Sequence, residues 1–339
     1  MPNTPPPTHT RPTASLSLDL DNLWSYLKTH GDPGWHTRPT YLPRFVPLAL
    51  ELLAELRVGI TFFVVGVDAA RGENGDALRS IVDAGHEVGN HSYEHEPWLH
   101  RYSREALEQE ICRAEDAIVS AMGQCPLGFR GPGYSFSPVL LDVLAQRGYR
   151  YDASTLPTFL GPLARYYYFA TAHLSAEQRE ERSTLFGSWS AGFWPNTPYE
   201  WELPSGRKLL EMPVTVCPVV RTPFHLSYLL YVSRFSETLA LAYWRSALAS
   251  CRLAGVEPSV LLHPLDLMGA DVAPELRFFP GMDVASDVKR RFFLKALGIL
   301  QRRYDIVPMS VHADRIRRRQ GLRARRASAP WDSPVLNKG

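Results

Sequence analysis

The sequence predicts an α/β fold in which strands and helices alternate, either as a layered sheet or as a barrel. Three observations carry that expectation. Short apolar runs of strand length alternate with segments of helical period, the pattern of β/α units rather than of separate all-α and all-β parts. Seven or so such units follow one another, and no repeat of fixed period points to a solenoid or a propeller. The 339 residues, 45% hydrophobic and 21% charged, suffice for one large globular domain or two ordinary ones.

The elements can be justified in order. SLSLDLD (15–21) alternates like a strand, and RFVPLALELLAEL (44–56) places its apolar residues at helical spacing. GITFFVVG (59–66) reads as a buried strand, DALRSIVDAG (76–85) as a helix, and HEVGNHS (86–92) as a third strand. The helix over 103–123 opens at Ser103, whose hydroxyl suits an N-terminal cap, and ends at a glycine. PLGFRG (126–131), SPVLLDVLAQRG (137–148) and YRYDAST (149–155) repeat the strand–helix–strand order. After an irregular aromatic-rich stretch from about 157 to 205, KLLEMPVTV (208–216), a helical 235–254, PSVLLHPL (258–265), a helical 284–301 and YDIVPM (304–309) resume it.

Composition excludes several classes. Thirty-seven Lys and Arg against thirty-five Asp and Glu leave a formal charge of +2, too near balance for nucleic acid to be the main partner. Cys112, Cys125, Cys217 and Cys251 lie far apart without a C-x-x-C pair, which suggests reduced thiols. The first residues, MPNTPPPTHTRPTA, lack an apolar signal core, and no apolar run approaches the roughly 20 residues of a spanning helix. A cytoplasmic protein is the expectation. Residues 1–14 are read as a disordered lead-in, 15–312 as the fold with its 157–205 insertion, and 313–339 as a basic, disordered tail.

In such folds the working residues sit at the carboxyl ends of strands. Asp19 and Asp21 end the first strand, His91 ends the third with His95 just beyond, Arg130 ends the fourth, Asp152 the fifth, and His263 a later one. His91 and His95 are spaced so that two imidazoles can close on one divalent metal. Each feature has a bland reading as well. An isolated Asp-x-Asp caps turns, a histidine in an apolar strand is usually a satisfied core residue, and His86 and His100 are read as supporting or surface residues. The joint placement is what singles out the set.

These residues resemble the NodB-homology polysaccharide deacetylases, over roughly residues 15–310. SLDLDN is similar to the family's first motif, HSYEH to its His-Ser/Thr metal motif, FRGPGYS to its Arg-x-Pro-Tyr motif, YRYDAS to the start of its fourth, and LLH at 261–263 to Leu-x-His. The resemblance implies a distorted (β/α)7 barrel, Asp21, His91 and His95 as ligands of one divalent metal, Zn2+ foremost, Asp19 as general base and His263 as general acid. It also implies substrate or oxyanion contacts from Leu261 and from the segment of Gly133 and Tyr134. The sequence departs from the family twice: Gly133 stands between the motif proline and Tyr134, and DASTLPT lacks the usual tryptophan.

The chemistry is coherent residue by residue. Amide hydrolysis needs an activated water, a stabilised oxyanion and a proton for the leaving amine. Two imidazoles and one carboxylate hold a divalent ion with open positions, which lowers the pKa of bound water from about 15.7 towards 7. Asp19, two residues from Asp21 on a strand, points to the same face and can take the proton. Arg130 would keep Asp19 ionised and oriented. Asp152 or Asp266 would orient a neighbouring group.

The expected substrate is an N-acetyl or N-formyl sugar, as a lipid-linked or other cytoplasmic glycan precursor. Two rivals are a glycosyltransferase holding a metal-bound diphosphate on Asp-x-Asp, disfavoured by the roughly eighteen residues that precede it, and a non-catalytic carbohydrate- or lipid-binding relative, disfavoured by the presence of Asp19 and His263. The insertion would lie over the strand ends as a lid. Residues 223–248 are apolar on more than one helical face, and the tail holds seven arginines between 315 and 326, so peripheral contact with an anionic membrane surface is a further expectation.

Overall fold

The computed structural model describes residues 11–161, 189–319 and 321–327, so most of the aromatic-rich insertion lies outside the described residues. The strands are β1 (Thr13–Asp19), β2 (Thr61–Val64), β3 (Glu87–Asn90), β4 (Gly128–Phe129), β5 (Tyr151–Asp152), β6 (Tyr199–Glu202), β7 (Lys208–Glu211), β8 (Ser259–Leu262), β9 (Asp305–Val307) and β10 (Ala324–Arg326). The helices are α1 (Leu23–His30), α2 (Leu42–Leu56), α3 (Gly66–Ala69), α4 (Gly75–Asp83), α5 (Arg104–Met122), α6 (Pro138–Gln146), α7 (Leu226–Ser233), α8 (Glu237–Leu253), α9 (Ser286–Gln301) and α10 (Met309–Arg317).

Parallel pairing runs β8-β1-β2-β3-β4-β5-β7. Beyond β7 the chain continues along β5, where the Val214 amide donates to the Thr155 carbonyl at 2.9 Å. It then meets β8: the Thr215 amide donates to the Ser259 carbonyl at 3.0 Å, and the Ser259 amide donates to Thr215 Oγ1 at 2.8 Å. Seven parallel strands therefore form a distorted (β/α)7 barrel whose ladder is open between β7 and β8 and is bridged there by the Thr215–Ser259 contacts. Strands β4 and β5 are only two residues long. Outside the ring, β6 pairs antiparallel with β7, β10 pairs parallel with β6, and β9 pairs with the first half of β1.

Strand alternation sorts the side chains. In β1, Leu16 and Leu18 join the main apolar cluster with Phe62, Val64, Val260 and Leu262 of the neighbouring strands and with residues of α2 and α8. The intervening Ser15, Ser17 and Asp19 share the opposite, interior side with Thr61, Phe63 and Glu87. Gly89 is required there, because a Cβ would lie 2.5 Å from Phe63 Cδ1. Helix α2 buries Leu42, Phe45, Val46, Ala49, Leu52 and Leu53, a stripe of helical period. Each such side chain contributes about 1.5–3 kcal/mol when fully buried. Helix α5 is capped by Ser103, which accepts from the Ala106 amide, and ends at Gly123 with φ 70°, the left-handed conformation that glycine adopts without a Cβ penalty.

The ends of the fold differ from the sequence expectation. Thr13 and Ala14 belong to β1, not to a lead-in. The tail read as disordered from 313 onward instead carries the rest of α10, and β10 follows. Helix α10 seals the amino-terminal mouth of the barrel: the Met309 amide donates to Thr61 Oγ1, the Ser310 amide to Glu87 Oε2, and His312 Nδ1 lies 3.0 Å from Ser15 Oγ. Several tail arginines are engaged, Arg315 with Asp305 and Arg319 with Glu257, which leaves less free charge for a membrane surface. Residues 223–248 form α7 and most of α8, broken where Ser236 caps α8, and both helices bury a face on the barrel. Among the described residues, no helix is long and apolar enough to cross a membrane.

Candidate active site

The site stands at the carboxyl ends of β1, β3, β4 and β8. Asp19 and Asp21 lie on one face of the strand end because they are two residues apart. The Leu20 amide between them donates to the Phe63 carbonyl at 2.9 Å, which extends the strand to this point.

Arg130 is fully buried and organises the interior. Its Nη1 donates to Asp19 Oδ1 at 2.7 Å and to Ser17 Oγ at 2.8 Å, and its Nε donates to the Ala153 carbonyl at 3.0 Å. Its guanidinium lies 4.3 Å from the Phe63 ring centroid, a face that favours a cation. A charge this deep requires such partners, because desolvation costs several kcal/mol per ion.

Asp21, His91 and His95 converge, with one ligand atom from each lying within 4.8 Å of the others. Asp21 Oδ1 is 2.9 Å from His95 Nε2 and 3.4 Å from His91 Nε2. Burial alone would raise the Asp21 carboxyl, but the two imidazoles outweigh it and hold it well below the usual carboxylate range. Burial opposes the charged form of His91, whereas Asp19 and Asp21 favour it and shift it upward overall. Between His91 Nδ1 and the Arg130 carbonyl the distance is 2.6 Å. With the proton on Nδ1, the Nε2 lone pair faces the carboxylates, the orientation that a metal-ligating histidine takes from its outer hydrogen bond. Two imidazoles, one carboxylate and this outer bond fit a divalent ion.

The loop that presents His95 is strained. Ser92 and His95 both adopt left-handed backbone, φ 63° and 55°, at about 1–2 kcal/mol each for residues other than glycine. The strain is held by Ser92 Oγ, which accepts the His95 amide, and by Glu110 Oε1 of α5, which accepts the amides of Tyr93 at 2.9 Å and Glu94 at 2.7 Å. Sequence reasoning missed Glu110. It lies on the buried face of α5 with Leu107, Ile111 and Ala114, and a carboxylate on an apolar stripe was the available signal. Trp24 and His95 form a T-shaped pair with ring centroids 6.2 Å apart, and Trp24 donates Nε1 to Asp68 at 2.9 Å.

His263 follows β8 and is half-buried. Its amide donates to Asp266 Oδ2 at 2.9 Å, and its Nδ1 lies 4.0 Å from the same oxygen. Asp266 is therefore the carboxylate beside His263. Asp152 serves another end: its Oδ1 accepts from Ser154 Oγ at 2.7 Å, and Ser154 Oγ accepts the Gly131 amide at 2.8 Å, so Asp152 braces the 131–134 loop. Glu211, also missed in the sequence, borders Asp152. Burial and the Asp152 charge push it well above the carboxylate range, and it accepts from Thr155 and from Trp201 Nε1.

Two expectations are modified. The Tyr134 amide donates to the Gly131 carbonyl at 3.0 Å, so it is already engaged as the loop stands; exposed Gly133, with φ 58°, precedes it in the loop. Leu261 is fully buried on the interior side of β8 and can floor the pocket, but it exposes no surface to a substrate. His86 accepts the Ile60 amide at the start of β3, and His100 bonds Ser135. A further histidine, His225, stands beside His263 with ring centroids 6.3 Å apart.

The polysaccharide deacetylase family profile matches residues 32–151, the stretch that contains His91, His95 and Arg130. The chain is 29% identical over 146 residues to a peptidoglycan deacetylase of Helicobacter pylori, covering 42% of this chain and 49% of that protein. It is 37% identical over 108 residues to a chitooligosaccharide deacetylase of Sinorhizobium fredii, covering 30% and 47%. The chain thus spans about half the length of these relatives. A crystal structure of a Mycobacterium smegmatis protein, proposed to be a polysaccharide deacetylase, shares the fold over 99% of both chains with a TM-score of 0.60 at 22% identity. Residues 32–151 of the chain thus match the polysaccharide deacetylase family, and the fold is that of the Mycobacterium smegmatis protein.

Proposed function

We propose that this protein is a metal-dependent hydrolase that removes an N-acetyl or N-formyl group from an amino sugar. The observation that carries the reading is the pairing of Asp19 with Arg130 directly beside the Asp21, His91 and His95 cluster. The named relatives are deacetylases of peptidoglycan and chitooligosaccharides, which supports a polymeric or oligomeric N-acetylated sugar as the substrate class.

Asp21, His91 and His95 would hold the ion, Zn2+ by the chemistry of the donors. A divalent ion so bound acts as a Lewis acid towards the amide carbonyl and lowers the pKa of water towards 7. The remaining work falls to side chains of this chain. Asp19, oriented through Oδ1 by Arg130, accepts the proton of the attacking water through its other oxygen. Arg130 holds that carboxylate in place. His263 delivers a proton to the amine nitrogen as the carbon–nitrogen bond breaks, with Asp266 holding its backbone. The 131–134 loop borders the pocket where an oxyanion develops.

The finer reading, a lipid-linked precursor taken at a membrane surface, is supported by an exposed apolar ridge of Tyr231, Phe235 and Leu239 on α7, α8 and their junction. Sedimentation with anionic vesicles at low salt tests it; protein left in the supernatant returns a soluble glycan as the substrate. The activity itself is tested by acetate release from N-acetylglucosamine oligosaccharides by metal-loaded protein. Release that is absent from metal-loaded protein, or unchanged in Asp19→Asn, overturns the reading.

A further inference from the structure

Sequence reasoning passed over His225, yet it stands within the site. It is 5% exposed, and its Nδ1 has no hydrogen-bond partner among the described residues. It begins α7 without capping that helix through its side chain. Its ring packs edge-to-face on Tyr228, with centroids 4.8 Å apart. Burial, with His263 and Arg130 nearby, pulls His225 down to about 3, so at neutral pH its imidazole carries one N–H donor and one bare nitrogen.

Helix α7 packs against the turn that follows His263. Ser227 in the first turn of the helix lies near Asp266, and Asp266 accepts the His263 amide. Tyr228 keeps 36% of its surface exposed and lies near enough to Tyr134 to affect its ionisation. Buried polar groups without partners are uncommon and require an explanation. An exposed aromatic ring beside a buried, neutral, under-bonded imidazole suits a ligand with one apolar face and a hydroxyl-bearing edge, and a pyranose has that form.

We propose that His225 and Tyr228 form a sugar-binding subsite beside His263, in which the Tyr228 ring carries the apolar face of a pyranose and His225 exchanges a hydrogen bond with one of its hydroxyls. The inference rests on the deacylase reading and locates its sugar. Holding the ring there places the departing nitrogen near His263, and orientation of this kind contributes to rate as well as to affinity.

The test compares an N-acetylglucosamine oligosaccharide with an aryl acetate that has no sugar, both with metal-loaded protein. His225→Leu, and independently Tyr228→Ala, should lower kcat/KM for the oligosaccharide about 5- to 20-fold while aryl acetate hydrolysis changes less than about twofold. Tyr228→Phe, which keeps the ring, should retain oligosaccharide turnover within about twofold. Calorimetric affinity for the deacetylated oligosaccharide should fall in the same ratio. Parallel loss on both substrates, or loss on neither, overturns the subsite. If His225→Leu fails to fold, Tyr228→Ala decides, because its side chain is partly exposed. A wild-type protein that neither hydrolyses nor binds the oligosaccharide sinks the deacylase reading and the subsite together, whereas a wild type that hydrolyses it while both variants keep full turnover sinks the subsite alone.

Discussion

His91 Nδ1 and the Arg130 carbonyl oxygen are 2.6 Å apart, and the guanidinium of the same Arg130 holds Asp19 at 2.7 Å. One residue of β4's end therefore orients a candidate metal ligand through its backbone and the candidate base through its side chain. The metal cluster and the proton acceptor are mechanically coupled but bonded separately, and that separation is what mutagenesis can read.

The Asp21, His91 and His95 set should bind one divalent ion per chain. Elemental analysis after zinc reconstitution should find about one equivalent, and His95→Ala should lose metal and activity together. Absence of stoichiometric transition metal in the reconstituted wild type would falsify this assignment.

Asp19→Asn should keep the metal and lose about 10²- to 10⁴-fold in turnover, the range expected for a general base. Measured beside Asp21→Asn, it should differ in metal content. If both variants lose the ion equally, the two aspartates do not divide the roles in this way.

His263→Ala should spare the metal and harm amides more than activated aryl esters, since an aryl oxide leaves without a proton. The ratio of kcat/KM losses on the two substrates is the readout. Equal losses argue against proton donation.

Arg130→Met should be costly to the fold itself. It leaves Asp19 as a buried charge without its partner, and removing one side of such a pair typically destabilises by about 3–5 kcal/mol. Urea unfolding at neutral pH measures it, and a change below about 1 kcal/mol would show that Asp19 is better solvated than its burial indicates.

Glu257 makes the docking of α10 acid-sensitive. Burial raises its carboxyl, but the hydrogen bonds from His312, Arg319 and the Thr13 amide prevail and pull it down to about 2. A carboxyl depressed in the folded state stabilises above its unfolded pKa, and that contribution fades as pH falls from about 4.5 to about 2. Thermal melts of wild type and Glu257→Gln should differ at pH 7 and converge over that interval. A constant difference across it rejects the linkage.

The sequence alone determined what local periodicity and strand ends can encode. Alternation in SLSLDLD and helical spacing in RFVPLALELLAEL follow from the geometry of a strand and a helix, so the β/α order and the positions of Asp19, Asp21, His91, His95, Arg130 and His263 were legible there. Tertiary structure decided what depends on residues distant along the chain. The barrel gap is bridged where Thr215 meets Ser259, and within the tail residues 313–317 and 324–326 take regular structure because α10 finds the barrel mouth and β10 finds β6. Glu110 braces the His95 loop, Asp152 turns to Ser154 rather than to His263, and His225 arrives beside His263. The physical reason is common to all of these. Spacing along a chain sets which face a side chain takes on its own element, whereas its partner is chosen by packing between elements, which no local period records.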